Sequence, residues 1–250
     1  MRISGSTCLV TGANRGIGLA IIRELAQRGA TVLAGVREPG SLPVVDGHVS
    51  ELVIDLADRR SIERAAAEAG RVDVLVNNAG RLQAGQLEGE AVDDLYGVLQ
   101  VNLAGAIHLT RLLLPAMLEH GGGKVVNNAS ISGYAFFPGA SVYSAAKAGL
   151  VGFSESLRRE LRGSGVSVLH LVTPSVDTRM MDAVVERYDG HQDLSKMGRI
   201  SPERWAKKVA DAIGSDKSVL DPAGSERLAK LASRGPGLLL DLVSRGFDRR

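Results

Sequence analysis

Short apolar runs alternate along this chain with stretches in which apolar residues recur at helical spacing. Because parallel strands need long crossover connections, usually helices, this alternation predicts a parallel sheet. We predict an α/β fold, a single doubly wound parallel sheet of about seven strands flanked by helices on both faces. The predicted strands are residues 7–11, 30–36, 49–54, 72–76, 124–128, 166–172 and 218–220.

The size and charge of the chain limit the classes of protein to consider. At 250 residues, 44% hydrophobic and 23% charged, the chain fits one soluble globular domain. A formal charge of +2 and a pI near 8.8 are too mild for a nucleic-acid-binding face, so we predict no nucleic-acid partner. The five histidines lie scattered without ligand spacing, and no metal site is predicted.

The single cysteine and the first residues bear on the compartment. Cys8 cannot form an internal disulfide, and its apolar run indicates a buried strand residue in a protein compatible with a reducing cytoplasm. The first six residues lack the apolar core of a signal peptide, and no stretch of about 18 apolar residues is expected to span a bilayer. We therefore predict a soluble, cytoplasmic protein.

A glycine-rich turn joins the first predicted strand to the first predicted helix. Residues 11–18 read Thr-Gly-Ala-Asn-Arg-Gly-Ile-Gly, with glycines where a backbone must turn sharply and admit a pyrophosphate against a helix N-terminus. The spacing Gly-x-x-x-Gly-x-Gly departs from the commoner Gly-x-Gly-x-x-Gly pattern, and by itself it also fits a purely structural turn. The candidate cofactor contacts here are Gly12, Asn14, Arg15, Gly16, Ile17 and Gly18.

The end of the second predicted strand is where a dinucleotide-binding fold reads the adenosine ribose. An acid there would select NAD, but the chain has Arg37, with no carboxylate until Glu38. A guanidinium suits a 2′-phosphate through charge-assisted hydrogen bonds, and Arg15 is a second candidate for this contact. Each arginine is alternatively a solvated surface charge. The two together favour NADP(H), with NAD(H) as the open alternative.

Two further strand ends carry candidate cofactor contacts. The third predicted strand ends at Asp55 and Leu56, where the carboxylate either meets an adenine or begins the next helix. Ser61 is the predicted N-cap of that helix. Small residues and an amide after the fourth strand leave room and hydrogen-bonding groups beside a ligand. These residues are Asn78, Ala79 and Gly80.

Tyr143 and Lys147 are four residues apart at the start of a predicted helix over residues 143–161. One helical turn brings them to the same face, and a nearby ammonium is expected to lower the pKa of the phenol toward working pH. A tyrosine with such a pKa can transfer protons. A lone Tyr and Lys on a solvated helix face would show the same spacing.

Two further polar residues are candidates for the active site. Asn102 is an amide within a predicted helical stretch over residues 91–119. Ser130 stands at the carboxyl end of the fifth predicted strand, thirteen residues before Tyr143. A satisfied core amide and an ordinary turn serine are the alternative interpretations.

The chain after the sixth predicted strand has fewer signals. Residues 174–178 suit a loop over a cofactor, and residues 178–200 fit either a mobile lid or a surface helical insert. Ser201 is the predicted N-cap of the following helix. Residues 226–233 have a helical pattern, and residues 238–243 are an apolar segment flanked by arginines. That tail fits core packing, a subunit contact or a basic amphipathic membrane anchor.

Taken together, these motifs resemble the short-chain dehydrogenase/reductase family over essentially the first 215 residues. The resemblance rests on residues 11–18, the Asn-Asn-Ala-Gly run at 77–80, Asn102, Ser130 and Tyr-Ser-Ala-Ala-Lys at 143–147, all in the family's order and spacing. It implies a Rossmann-type cofactor-binding and catalytic domain at 1–220, with a substrate loop near 175–200. Residues 221–250 would be a divergent helical C-terminal tail of the same domain.

The resemblance also implies a role for each site residue. Tyr143 would donate or accept the proton, Ser130 would hold the carbonyl oxygen, and Lys147 would contact the nicotinamide ribose and tune the tyrosine. Asn102 would support a water-linked proton relay. The implied cofactor contacts near the nicotinamide are Pro174, Val176 and Thr178, with Tyr143 and Lys147.

The implied activity is an NADPH-preferring oxidoreductase that interconverts a carbonyl and a secondary alcohol of a small molecule, in a homo-oligomer of two or four subunits. The alternatives are a membrane-associated reductase of a lipid or other lipophilic ketone, and a non-catalytic nucleotide-sensing protein on the same fold. The chain departs from the family in three places. Pro174-Ser175 replaces the common Pro-Gly, the loop to Thr178 is one residue shorter, and the closing Thr-Gly and Asp-Gly-Gly pattern is missing after Leu220.

Overall fold

The computed structural model describes residues 1–188, 198–224, 226, 227 and 230, and within them seven parallel strands form one sheet. The strands are β1 (Thr7–Thr11), β2 (Thr31–Val36), β3 (Val49–Val53), β4 (Val74–Asn77), β5 (Gly123–Asn128), β6 (Val166–Leu171) and β7 (Val219–Leu220). They lie in the order β3-β2-β1-β4-β5-β6-β7. The doubly wound parallel sheet predicted from the sequence is confirmed, with strand ends shifted by one or two residues.

Helices cover both faces of this sheet. They are α1 (Gly16–Gln27), α2 (Arg59–Ala69), α3 (Val92–Leu99), α4 (Gly105–Glu119), α5 (Ser132–Ala135), α6 (Ser141–Glu160), α7 (Arg179–Tyr188) and α8 (Pro202–Ile213). A π-helical turn, Gln100–Ala104, joins α3 to α4 without a break.

The core has two layers because side chains alternate across each strand. On β1, Cys8 and Val10 face the layer that contains α1 and α8, where Trp205 is fully buried. Leu9 faces the opposite layer, which contains α2, α4 and the later part of α6. Burial raises the pKa of the Cys8 thiol to about 11, so the predicted buried strand cysteine is confirmed.

The helix starts show one correct and one wrong prediction. Ser201 caps α8, since its Oγ accepts a hydrogen bond from the Arg204 amide at 3.3 Å. The N-cap of α2 is Asp58, not Ser61, because the Asp58 carboxylate accepts from the Arg60 amide at 2.9 Å and the helix begins two residues before Ser61. The Ser61 hydroxyl instead accepts from the Asp55 amide at 2.9 Å.

The apolar helix Val92–Glu119 is 28 residues long and meets a length-and-composition test for a membrane span. The expectation that the chain holds no such stretch is therefore wrong. In the fold, Leu109, Leu113 and Met117 of this helix are buried in the core layer that also contains α2. One face of the helix therefore lies in the core.

The insert between β6 and α8 contains α7, so its helical character is confirmed, while residues 189–197 lie outside the described part. Its two ends meet. Val176 and Ile200 form a parallel bridge, and the Arg199 guanidinium lies 3.1 Å from Asp177 and 2.7 Å from Asp182. Whether the insert is a mobile lid stays a prediction.

The tail after β7 is described only in part. Glu226, Arg227 and Lys230 are helical, in agreement with the predicted helical pattern there. The apolar, arginine-flanked segment predicted over residues 238–243 lies outside the described residues.

Candidate active site

The site lies at the carboxyl ends of the central strands. The chain winds outward from β1 to β2 and β3, then returns to place β4 on the other side of β1. Helices leave these two strands toward opposite faces, which opens a crevice where ligands bind in such sheets. Apart from Asn102, each of the motifs predicted to carry chemistry follows a strand end or lies at the start of a helix.

Ser130 and Tyr143 meet where β5 and α6 converge. Ser130 follows the end of β5 by two residues, and Tyr143 is the third residue of α6. Burial raises the pKa of the Tyr143 phenol, and a hydrogen bond with Ser130 acts in the opposite direction. The Ser130 Oγ also accepts from the Ser132 amide at 3.1 Å, which orients the hydroxyl beside the phenol.

Lys147 lies one turn further along α6 and is 4% exposed. Its Nζ donates to the Asn128 carbonyl at 2.7 Å and lies 5.7 Å from the centre of the Tyr143 ring. Burial lowers the pKa of Lys147 to about 8. The prediction that Lys147 lowers the Tyr143 pKa is wrong for this geometry, because burial disfavours the charged form of both groups.

Asn102 sits in the π-helical turn between α3 and α4 and is 1% exposed. Its Nδ2 donates to the Arg81 carbonyl at 2.7 Å, and its Oδ1 accepts from the Arg81 amide at 3.1 Å. A Cβ on Gly80 would lie 2.9 Å from Asn102 Oδ1 and 3.9 Å from Lys147 Nζ, so this glycine lets Asn102 and Lys147 approach. Single π-turns in helices are frequent at functional sites. The relay role of Asn102 stays a prediction.

The glycine turn lies between two other predicted contact segments. Gly12 has a φ of +65°, and a Cβ on it would lie 2.9 Å from the Cα of Ala79. A Cβ on Gly16, whose φ is +53°, would lie 3.4 Å from Thr178 Cγ2. The structure therefore brings residues 12–16, Ala79 and Thr178 together. The bare backbone at the N-terminus of α1 is a cradle that fits a pyrophosphate.

The backbone carbonyl of Thr11 and the side chains of Asn78, Asn128 and Thr173 form a hydrogen-bonded row at the ends of β1, β4, β5 and β6, which we call the polar ladder. Asn78 Nδ2 donates to the Thr11 carbonyl at 2.9 Å, and Asn128 Nδ2 donates to Asn78 Oδ1 at 2.9 Å. The Thr173 hydroxyl donates to Asn128 Oδ1. Of these four residues, only Asn78 is predicted from the sequence as a cofactor contact. Polar residues at the ends of neighbouring predicted strands are the signal that would have found Thr11, Asn128 and Thr173.

The two candidate phosphate-binding arginines are on the surface. Arg15 is exposed at the N-cap of α1. The Arg37 side chain is 71% exposed, and its Nη2 lies 3.1 Å from Glu38 Oε1. Asn14 is also near the surface, where its Nδ2 donates to Ser41 Oγ at 3.3 Å. Asn14 and Arg15 lie within the glycine turn and Arg37 follows the neighbouring strand β2, and their contact with a cofactor stays a prediction.

Four candidate contacts are used mainly by the fold. Asp55 Oδ1 accepts from the Ala57 amide at 2.9 Å, which is the helix-entry role foreseen as its alternative. Leu56 is buried, as is Val176, and Ile17 packs against the core. Contact of these four residues with a cofactor stays a prediction.

The loop after β6 forms a hydrogen bond with a residue of the tail. The Ser175 amide, at the position where the family commonly has glycine, donates to Glu226 Oε1 at 2.8 Å. Pro174 is half-buried beside it. In the described part of the chain, no group of three or more His, Cys, Asp or Glu side chains could hold a metal ion. The structure brings Ser130 and Tyr143 together next to the buried ammonium of Lys147.

Known proteins share this arrangement of elements. The chain is 35% identical over 234 residues to the 3-oxoacyl-[acyl-carrier-protein] reductase FabG of Thermotoga maritima. The aligned region covers 87% of this chain and 94% of that protein. A short chain dehydrogenase from Burkholderia cenocepacia in complex with NADP superposes with a TM-score of 0.86 at 26% identity, covering 97% of this chain and 98% of that one. An actinorhodin polyketide ketoreductase with NADPH gives 0.81 at 31% identity, covering 89% and 97%.

The family model described as short chain dehydrogenase matches residues 6–189. This match covers the glycine turn, the polar ladder and the complete set of Asn102, Ser130, Tyr143 and Lys147. The chain therefore belongs to the short chain dehydrogenase family of oxidoreductases.

Proposed function

We propose that this protein interconverts a carbonyl and a secondary alcohol of a small molecule, with Tyr143 as the general acid or base and NADP(H) as the preferred cofactor. The hydrogen bond between Ser130 and the Tyr143 phenol, one helical turn from the buried Lys147, carries the proposal. These three groups surround one position where a substrate oxygen can be stabilised and protonated.

The nicotinamide supplies or accepts the hydride when it is bound. During reduction, negative charge develops on the carbonyl oxygen, and the Ser130 hydroxyl donates a hydrogen bond to it. Tyr143 then transfers its phenolic proton to the same oxygen. The raised pKa of Tyr143 keeps the phenol protonated at neutral pH, which is the form that reduction requires. Lys147 places a positive charge next to the tyrosinate that is left.

The glycine cradle at the start of α1 fits the cofactor's pyrophosphate, and Arg15 and Arg37 flank it. The relatives that hold NADP and NADPH support the same preference. NAD(H) is the alternative. Names of relatives, a 3-oxoacyl reductase and a polyketide ketoreductase, support a ketone as the substrate class. The complete catalytic set argues against a non-catalytic nucleotide sensor.

Replacing Tyr143 with Phe tests the proposal. Removal of the proton donor should lower kcat by about 10²-fold to 10⁴-fold, as expected for the loss of a general acid. Turnover is measured on a panel of ketones, secondary alcohols and 3-oxoacyl thioesters with both cofactors. Cofactor affinity, measured by fluorescence titration, should stay within about threefold of wild type because the glycine cradle is untouched.

Tyr96→Phe is the matched control, since this tyrosine lies exposed on α3 and its loss of a hydroxyl should leave kcat unchanged. Equal turnover by the Tyr143→Phe protein and wild type would refute the role of Tyr143.

A further inference from the structure

The catalytic helix α6 has no capping side chain of its own. Its N-cap residue, Ala140, carries no acceptor, and the first intrahelical hydrogen bond runs from the Ser144 amide to the Ala140 carbonyl at 2.7 Å. The amides of the first turn therefore need acceptors from elsewhere. The Val142 amide finds one in Gln83 Oε1, at 3.3 Å. Gln83, from the loop after β4, thus does for α6 what a serine or aspartate N-cap does for other helices.

Gln83 is 2% exposed, and its amide group has a fixed orientation. Its Nε2 donates to the Gly85 carbonyl at 3.2 Å. A backbone amide can only donate and a carbonyl can only accept, so these two contacts determine which end of the side chain faces α6. The Gly85 amide in turn donates to the Gly139 carbonyl at 2.7 Å. The loop after β4 is therefore tied twice to the segment that leads into α6.

The hydrogen bond from Val142 to Gln83 should affect the position of Tyr143 more than that of Lys147. Val142 directly precedes Tyr143, and both lie in the first turn, the part of a helix that frays most easily. Lys147 lies one turn deeper and is held separately by the Asn128 carbonyl. Loss of the Gln83 contact should therefore loosen Tyr143 while Lys147 and the glycine cradle keep their places.

We propose that Gln83 is a positioning residue that holds the first turn of α6, and with it the Tyr143 phenol, against Ser130. This inference rests on the proposed role of Tyr143 as the proton donor. It predicts a defect in the proton-transfer step without a defect in cofactor binding.

Gln83→Leu removes the acceptor while it keeps the bulk of the side chain. We expect kcat to fall about tenfold, which is about 1.4 kcal/mol of transition-state free energy, while the Kd for the cofactor stays within about twofold. Hydrogen exchange of the backbone amides at 139–146, followed by mass spectrometry on the intact protein, should become faster.

Ser154→Ala is the matched control, because it removes a buried hydroxyl from the same helix. Ser154 Oγ accepts from Asn127 Nδ2 at 2.9 Å and donates to the Leu150 carbonyl at 2.6 Å, three turns from Tyr143. Its loss should reduce stability but leave kcat and the exchange at 139–146 near wild type.

Wild-type kcat in Gln83→Leu, unchanged amide exchange at 139–146 in that variant, or an equal loss of kcat in Ser154→Ala would each overturn the inference. If wild type itself turns over none of the panel with either cofactor, the proposed function fails. The exchange of residues 139–146 would still test the tie between Gln83 and α6, so the two failures are distinguishable.

Discussion

Arg37 extends into solvent at the end of β2, where its guanidinium pairs with the neighbouring Glu38 at 3.1 Å. An exposed pair of this kind contributes little to folding stability, so the arginine is available to a phosphate at small cost. Its position beside the glycine turn makes it the clearest residue with which to test cofactor choice.

Arg37→Asp should weaken NADPH binding by about 10-fold to 100-fold, because charge-assisted hydrogen bonds to the 2′-phosphate are lost and a carboxylate now repels it. NADH, which lacks that phosphate, should bind within about threefold of its wild-type affinity. Fluorescence titration with each cofactor measures both effects.

Arg64→Asp makes the same charge change at a similarly exposed arginine on α2, which pairs with Asp58 at 3.7 Å. It should leave both affinities unchanged. Equal weakening of NADPH and NADH in Arg37→Asp would show that Arg37 does not read the phosphate.

Single-residue spacing predicted the proximity of the catalytic groups but not their charge states. The four-residue interval from Tyr143 to Lys147 fixes their shared helix face, and helix geometry alone is enough for that conclusion. The direction of the Tyr143 pKa depends on how deeply the fold buries the pair, which spacing does not contain. The contact of Gln83 with α6 could not be predicted from the sequence. Its hydrogen-bond partner, Val142, is 59 residues away and meets it only in the folded chain.

A set of interacting polar side chains connects several elements of the structure. The Tyr134 hydroxyl on α5 lies 2.9 Å from His170 Nε2 on β6, and His170 Nδ1 lies 3.6 Å from Glu155 Oε1 on α6. The Lys230 ammonium lies 4.8 Å from the centre of the Tyr134 ring and pairs with Asp221. The set therefore links the helix that follows Ser130, the helix that carries Tyr143, and the tail.

His170 is neutral in this environment. Burial lowers its pKa to about 4 from 6.5, and the charges of Lys230 and Arg158 act in the same direction, while Glu155 and Asp221 oppose them. The folded-state pKa lies below the unfolded value, so the unfolded chain binds the extra proton first. Stability contributed by the neutral imidazole is therefore present above pH 6.5 and is lost as the pH falls toward about 4.

The free energy of unfolding should fall by about 3 kcal/mol between these pH values. Urea unfolding at a series of pH values measures this loss directly. His170→Gln keeps a polar side chain but cannot titrate, so the variant should lose less stability than wild type over the same window. Parallel stability curves for the two proteins would contradict the neutral, buried state of His170.

Element boundaries show where sequence patterns are enough and where they are not. Ser201 was identified as an N-cap because a proline and an acid follow it in the first turn of α8. The cap of α2 was misplaced because Asp58 and Ser61 are both competent acceptors, and only the path of the chain after β3 decides between them. The π-turn around Asn102 has no signal in apolar periodicity, which continues unbroken from α3 into α4.

Among the residues that the structure describes, nothing covers one apolar face of helix α3. Val92, Tyr96 and Leu99 lie on it at helical spacing, and Tyr96 is 69% exposed. Apolar side chains gathered on one face indicate a contact with another protein surface. The expected homo-oligomer supplies such a surface, since a two-fold axis lets the same face pair with itself.

Tyr96→Glu should weaken this self-association by about 30-fold to 100-fold, because an aromatic anchor is lost and a charge is buried on each side of the axis. Light scattering coupled to size-exclusion chromatography reports the mass of the assembly. Val44→Glu places the same charge on an apolar residue that is 94% exposed elsewhere, and should leave the mass unchanged. A monomeric wild type, or a Tyr96→Glu protein of wild-type mass, would rule out this face.

The polar ladder has a consequence for the order in which the molecule assembles. Its links join residues 67, 50 and 45 positions apart in the chain, so every link closes a long loop. Contacts of such high sequence separation form late in folding, after the local helices and the first strand pairs. β4, β5 and β6 must all be in register before the Asn128 side chain can pair with both Asn78 and Thr173. The proposed active site is therefore expected to reach its full arrangement only when the sheet is complete.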